Sequence, residues 1–498
     1  ITVPAYATNT ADDHRHVLND SGASAAIIST PALAKRFRPA FDAAEACKTL
    51  FAMEPVDGAE TMADAIAAGG DADIDATVAG LTRGDMACII YTSGTGGAPK
   101  GVMTNHGAIL LNCVGAYELL EGFGFEETER FLSFLPLSHS YEHTAGLWFP
   151  ISIAASIAYA ESIDKLVANM AEIQPTVMTA VPRLYESMRD RIQRGLKQQP
   201  KLRQRLFAKT LELGAKRYQT PKAMGVVDKA LDAALDKLVR RKVAQRFGGA
   251  LKGFVSGGGR LDPEVGLFFT ALGVRLLQGY GQTETGPVVS CNKADSVKIE
   301  TVGPIFPEVE VKIAEDGEIL VKGELVMRGY WKNGDATAQA FDADGWLKTG
   351  DIGAFDDAGR LMITDRKKDI LVMSGGDNVS PARIEGKLAL RPEIAQAVAL
   401  GDGESHVAAL IVVDSAWAAD NGFAKAGPED QDLRKAVGAA VDAINRDLSV
   451  IEKVKRFALL AEPCTIDNGL MTPTMKIKRH KLKERYGDEI RGLFKKAA

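Results

Sequence analysis

Cysteine is scarce in this chain. The 498 residues hold five, Cys47, Cys88, Cys113, Cys291 and Cys464, scattered and odd in number, with no pair at metal-ligand or redox spacing. That argues against a disulfide scaffold or a zinc fold, and reduced thiols point to the cytoplasm. A long hydrophobic run is also lacking. The longest uncharged stretch, running from Thr144 up to the charged Glu161, falls short of the roughly 20 residues a membrane helix needs, and Pro150 interrupts it, so it reads as buried core. There is no excess of positive charge (the formal net charge is -5), so nothing global suggests nucleic acid. No secretory signal, internal repeat or low-complexity tract is visible. An initiator Met is absent. The opening Ile1-Thr2-Val3-Pro4 reads like the middle of a strand, and an N-terminal portion is expected to be missing.

What is present is ordinary for a globular enzyme: 46% hydrophobic and 25% charged residues. The length suggests several units, or one large α/β domain followed by a smaller one. Strand-like Ala25–Ser29 after a helical stretch around residues 14–19 suggests β-α-β units. Residues 86–91 read as a buried strand feeding a glycine-rich loop. Residues 183–246 carry 18 Lys or Arg and 6 Asp or Glu, and predict two long helices with a break near Thr220-Pro221. Such a segment is either a solvated helical face or a surface for anionic lipid or for phosphates. Asp262-Pro263-Glu264 and Ser380-Pro381 predict helix starts. Residues 300–365 alternate short strands with turns, and residues 370–498 read as a small α+β domain.

The strongest chemical signal is Tyr91-Thr92-Ser93-Gly94-Thr95-Gly96-Gly97-Ala98-Pro99-Lys100-Gly101. Small residues after a strand let backbone N–H groups converge on an anion, hydroxyls add donors, and Lys100 adds charge. A phosphate-binding loop follows. A Walker A loop needs Gly-Lys-Ser/Thr, whereas here Lys100 lies between Pro99 and Gly101.

Further signatures follow in order: Leu135-Pro136-Leu137-Ser138-His139-Ser140-Tyr141-Glu142, Ser256-Gly257-Gly258-Gly259, Gln278-Gly279-Tyr280-Gly281-Gln282-Thr283-Glu284-Thr285-Gly286, Thr349-Gly350-Asp351, Asp365-Arg366-Lys367-Lys368-Asp369 and Pro473-Thr474-Met475-Lys476-Ile477-Lys478-Arg479. Together with the loop they resemble the adenylate-forming superfamily of acyl-CoA synthetases, luciferases and peptide-synthetase adenylation domains, over nearly the whole chain. Gly96 stands where the usual pattern has a second Thr, so the loop has one hydroxyl fewer. The resemblance implies an α/β fold: a large N-terminal domain of β-sheets flanked by helices (1–366) and a small mobile α+β C-terminal domain (367–498).

It also implies roles. Thr92, Ser93, Gly94, Thr95, Gly97 and Lys100 would hold ATP phosphates. Gly257, Gly258 and Gly259, with Gly279, Tyr280 and Gly281, would surround the nucleotide. Asp351 would take the ribose hydroxyls and Arg366 ribose or phosphate oxygens. Thr283 would donate to a phosphate oxygen, and Glu284, a hard oxygen ligand, would bind Mg²⁺. Lys476 would stabilise charge as a carboxylate attacks the α-phosphorus. His139 would shape the acyl pocket. Lys368 sits at the hinge, and Gly375 and Gly376 would line the coenzyme A tunnel once the small domain has swung.

Local choices such as Leu135–Glu142, Gly303-Pro304 with the Glu324–Trp331 run, and Asn468–Lys476 look closest to bacterial-type long-chain fatty acyl-CoA synthetases. The activity implied is ATP-dependent joining of a fatty acid to coenzyme A through an acyl-adenylate. Two alternatives stay open: loading of an acyl carrier protein, and nucleotide binding without catalysis. Peripheral membrane contact through 183–246 and a homodimer are both compatible.

Overall fold

Short apolar runs bounded by turns become the interior of one sheet. The structure is a computed structural model that describes residues 1–70, 72–92, 98–126, 128–472 and 477–495. Val177–Ala180 and Gly253–Ser256 are buried at every position, as parallel strands covered on both faces must be. They are central in a six-stranded sheet of order Val288–Cys291, Leu276–Gly281, Gly253–Ser256, Val177–Ala180, Arg130–Ser133, Ser156–Tyr159. All neighbours run parallel except the edge strand Val288–Cys291, which returns antiparallel.

Successive side chains point to opposite faces. Leu132, Met178, Phe254 and Leu276 pack under Leu166–Ile173, Pro182–Lys197 and Pro263–Ala271. Phe131, Val177, Val255 and Leu277 pack under His106–Leu120. Asp262 accepts the Glu264 N–H with Pro263 in the first turn, and Ser380 accepts the Arg383 N–H. Both helix starts follow the capping logic of their sequences, each stabilising by about 1 kcal/mol.

Around this sheet lie a three-stranded parallel sheet, the antiparallel hairpin Met86–Thr92/Lys100–Asn105, and a four-stranded antiparallel sheet that ends with Leu361–Arg366. The next strands form a separate small hairpin, Leu371–Val372 with Asn378–Val379. Beyond it Ile394–Leu400, Val407–Val413 and Val454–Leu459 pack with Pro381–Ala389 and Gln431–Asn445 around a core of their own. This is the large α/β unit and small α+β unit that the sequence resemblance implies.

Two local expectations need correction. Residues 182–246 form three rods and not two: Pro182–Lys197, Lys201–Gln219, and a third that runs from Val226–Leu235 through a π turn, Asp236–Arg240, into Arg241–Arg246. Pro200 supplies the extra break, because the residue before a proline avoids helical geometry. Residues 144–161, read as buried core, are buried only in part: a π turn and a short helix bury Thr144, Gly146, Phe149 and Pro150, whereas Trp148, Ile151 and, in the strand Ser156–Tyr159, Tyr159 are exposed. Among the described residues no helix is long and apolar enough to cross a membrane.

Candidate active site

The glycine-rich loop springs from a closed neck. Thr92 and Lys100 are register partners in the hairpin, and the Thr92 hydroxyl donates to the Lys100 carbonyl at 3.4 Å. Ser93, Gly94, Thr95 and Gly97 lie outside the described residues. The neck is braced from outside by the helix Ala11–Ser21. His16 Nε2 donates to the Pro99 carbonyl at 2.8 Å, and the Tyr91 hydroxyl donates to Asp20 at 2.5 Å. The Asp20 carbonyl accepts Trp331 Nε1 at 3.0 Å. One turn of helix therefore fixes both the neck and the Trp331–Lys332 segment.

Tyr330 joins two of the expected phosphate-site groups. Its ring lies under the Lys100 ammonium, 4.0 Å from nitrogen to centroid. Its hydroxyl donates to Glu284 Oε1 at 2.9 Å. The phenol is pushed well above its ordinary range by burial and then by the Glu284 charge, so it stays a donor. Glu284 is carried by a short turn, Thr283–Thr285, whose Thr283 hydroxyl meets Ser140 Oγ at 3.0 Å. Gly281 is obligatory just before this turn, because a Cβ there would lie 1.8 Å from the Pro287 carbonyl oxygen.

At the other end, Asp351 is buried and doubly held. It accepts the Tyr280 hydroxyl at 2.8 Å on Oδ2 and Arg366 Nε at 3.0 Å on Oδ1. Asp351 and Arg366 face one another across adjacent strands, which makes the pair a product of register. Burial, then the Asp351 charge, pushes the Tyr280 phenol up.

Gly257 adjoins a flat ring, that of Tyr141: a Cβ would sit 2.8 Å from its Cζ. The Tyr141 hydroxyl donates to the Val255 carbonyl at 2.8 Å, and His139 Nδ1 accepts the Tyr141 N–H at 3.1 Å. His139 thus caps the turn that aims Tyr141. The next residue, Glu142, is fully buried; Ser133 and Thr179 donate to its two oxygens at 2.5 and 2.6 Å.

These groups share one cavity of about 1350 Å³. Thr92, Lys100, His139, Gly257, Gly258 and Gly259 line it, as do Gly279, Tyr280, Gly281, Thr283, Glu284, Asp351, Arg366 and Lys368. Gly375 and Gly376 do not; they occupy an exposed turn of the small domain. Lys476 lies outside the described residues, but its neighbours Ile477 and Arg479 line the cavity. Arg479 is fixed there by Glu385 at 2.5 Å and the Ala399 carbonyl at 2.9 Å. A second part of the wall is apolar: Ala116, Leu120, Phe131, Phe149, Val177 and Phe306.

Among the described residues no group of three or more His, Cys, Asp or Glu side chains could hold a metal ion. Glu284 offers one carboxylate, so Mg²⁺ fits here only with phosphate oxygens completing its shell, a usual arrangement for that ion. Sequence reasoning gave no role to Tyr330, nor to Tyr141 and Arg479, although these two stand inside segments it singled out. Tyr330 stands in a run noted only for its likeness to long-chain enzymes, and nothing local marks it as the link between Lys100 and Glu284.

The profile for "AMP-binding enzyme" matches residues 1–331, and that for "AMP-binding enzyme C-terminal domain" matches residues 368–498. The chain belongs to the AMP-binding enzyme family. This AMP-binding enzyme is 34% identical to "Long-chain-fatty-acid--CoA ligase FadD15" of Mycobacterium bovis, over 100% of the chain and 84% of that protein. It is 33% identical to "Long chain acyl-CoA synthetase 7, peroxisomal" of Arabidopsis thaliana, over 83% of the chain and 61% of that protein. In fold it is similar to ATP-bound MatB from Rhodopseudomonas palustris, with TM-score 0.69 and 22% identity over 98% of this chain and 84% of that one. It is also similar to the anthranilate CoA ligase AuaEII in complex with anthranoyl-AMP, with TM-score 0.72 and 19% identity over 99% and 83%.

Proposed function

We propose that this AMP-binding enzyme is an ATP-dependent long-chain fatty acid:CoA ligase, forming acyl-adenylate and pyrophosphate and then acyl-CoA and AMP. The observation that carries the reading is the composition of one cavity. Its volume of about 1350 Å³ exceeds the roughly 300–1,000 Å³ of an ordinary ligand pocket. Its polar wall suits a nucleotide, and its apolar wall suits an aliphatic chain.

In the first step a carboxylate oxygen bonds to the α-phosphorus of ATP and the bond to pyrophosphate breaks. Asp351, pre-aimed by Tyr280 and Arg366, would hold the ribose hydroxyls. Lys100 would face the departing phosphates. Lys476 would reach the reacting phosphoryl group, since charge developing there is best met by a cation fixed in advance. Glu284 would hold Mg²⁺, which supplies charge neutralisation on the polyphosphate. In the second step a thiolate attacks the acyl carbonyl and AMP leaves. Gly375 and Gly376, now outside the cavity, would be brought in by rotation about Lys368. The reading places the enzyme in the cytoplasm, where ATP and free coenzyme A meet; its five buried free thiols accord with this.

The test is acid-dependent exchange of labelled pyrophosphate into ATP, run from acetate to stearate, followed by thioester formation with free coenzyme A. Exchange rising with chain length and AMP as the product are expected. Release of ADP in place of AMP would overturn the reading. Thioester formation only on a loaded carrier protein would move the acceptor, and absence of exchange would leave a nucleotide binder without catalysis.

A further inference from the structure

The small unit meets the large one at the strand Ile394–Leu400, which lies at the edge of its three-stranded sheet. Pairing with Val407–Val413 shifts register between Ile394 and Gln396, so Ala395 has no ladder partner. A bulge of this kind frees a backbone group from the sheet. The Ala395 carbonyl accepts Arg183 Nη2 of the large unit at 2.9 Å. Arg183 stands in the first turn of Pro182–Lys197, a helix whose Tyr185 and Met188 are buried in the core of the large unit. The arginine therefore reaches out from a fixed base. Leu390, just ahead of the strand, packs against that same core.

The other end of the strand holds the segment that follows Lys476. Ala399 gives its N–H to Glu385 Oε1 at 2.7 Å, and its carbonyl accepts Arg479 Nη1 at 2.9 Å. Arg479 Nη2 closes the triangle on Glu385 at 2.5 Å. Ile477 and Arg479 line the cavity. From Ala395 to Ala399 the strand runs about 13 Å at 3.3 Å per residue. One stiff element thus joins a contact with the large unit at one end to the cavity wall beside Lys476 at the other.

We propose that Arg183 is a positioning residue for adenylation: through the Ala395 carbonyl it latches the small unit so that Lys476 stays at the reacting phosphoryl group. This rests on the ligase reading given above. The latch is weak by construction. Half of the Arg183 side chain is exposed, and its pair with Glu186 at 3.0 Å lies within its own helix and adds little. A repulsion works against the contact as well. Burial pushes the Asp190 carboxyl up against the pull of Arg189, Arg194 and Arg183, and the charge of Asp414, from the small unit, pushes it further. A small, polar contact between domains lets them move relative to one another, as the thiol step demands. A bond made in only one of two arrangements shifts the population toward the other when it is removed. Loss of Arg183 therefore disfavours adenylation and spares the step that follows.

The experiment measures the two half-reactions of the full chain apart: acid-dependent exchange of labelled pyrophosphate into ATP, and thioester formation from supplied acyl-adenylate and coenzyme A. Arg183→Ala should slow exchange about three- to tenfold, the worth of one hydrogen bond, at an unchanged KM for ATP. Thioester formation should be equal or faster. Leu390→Ala, on the opposite side of the contact, should give the same split, and Arg183→Lys should recover part of the exchange. Urea unfolding that matches the parent shows that these variants are folded. A merely structural role would lower both half-reactions together. Trypsin in the absence of all substrates gives a reading that does not depend on activity: cutting at the Lys367 and Lys368 junction should be about three- to tenfold faster in Arg183→Ala. Equal loss in both half-reactions, or exchange and cutting like the parent in both alanine variants, would overturn the latch. No exchange by the parent, with cutting still faster in the variant, would instead sink the ligase reading and support the latch.

Discussion

Replacing Glu142 by Gln should remove a pH dependence of stability that the folded protein carries at one position. Glu142 is completely buried, with Ser133 and Thr179 donating to its two oxygens. No cation pairs with it among the described residues. Burial pushes its carboxyl up from the ordinary 4.5 to about 7, against the lowering effect of the two hydroxyls. In the unfolded chain the group returns to its ordinary value. Between these two pH values the folded protein keeps a proton that the unfolded chain has released, so stability falls as pH rises, and the loss is complete above the folded value. At about 1.4 kcal/mol per tenfold, the whole difference is about 3 kcal/mol, of which about 2–3 kcal/mol falls between about pH 5 and pH 8. Gln has nearly the same shape and cannot ionise. Urea unfolding followed by tryptophan fluorescence, for both proteins at each pH, gives the difference directly, and other titrating groups cancel in the subtraction. The variant should gain on the parent by that amount as pH rises. A difference that does not change with pH would refute the reasoning.

Three further perturbations have defined outcomes. Tyr330→Phe keeps the ring under Lys100 and loses the bond to Glu284. Since hydrogen bonds to charged groups contribute about 1.5–3 kcal/mol, adenylation should slow roughly ten- to hundredfold with a raised Mg²⁺ requirement, and an unaltered Mg²⁺ titration would contradict the link. Gly257→Ala drives a methyl into the Tyr141 ring, where the Cβ would lie 2.8 Å from Cζ. A loss of about 1–3 kcal/mol is expected by overpacking, and an unchanged melting temperature would show that the wall yields freely. Lys476→Ala should cripple acyl-adenylate formation while thioester formation from supplied acyl-adenylate survives; equal loss in both half-reactions would remove its assigned role.

Much of this architecture was legible in the chain because the signals are local. Asp262-Pro263 and Ser380-Pro381 start helices as read, since a cap needs only its own next turn. The strand over 86–92 follows from an apolar run, read as buried. Segments around Asp351, Glu284 and Gly257, far apart in sequence, line one cavity, as the ordered motifs imply. What sequence reading could not supply is relational. The Tyr330 bridge from Lys100 to Glu284 joins residues 46 and more positions apart. The brace of His16 on Pro99 spans 83. The stretch 144–161, charged only at its last residue, holds no periodic signal that separates a π turn from a strand, and the extra break in the basic region turned on a single proline.

The helix Ala11–Ser21 braces Tyr91 and Pro99, on either side of the glycine-rich segment, and lends the cavity wall none of its own residues. With the loop after Thr92 holding ATP, as proposed above, the hold of His16 and Asp20 on Pro99, Tyr91 and Trp331 links undoing of this helix to release of nucleotide. Bound nucleotide should therefore slow hydrogen exchange and protease cutting near residues 11–21. A substitution there that looks remote from catalysis would register first as weaker affinity for ATP.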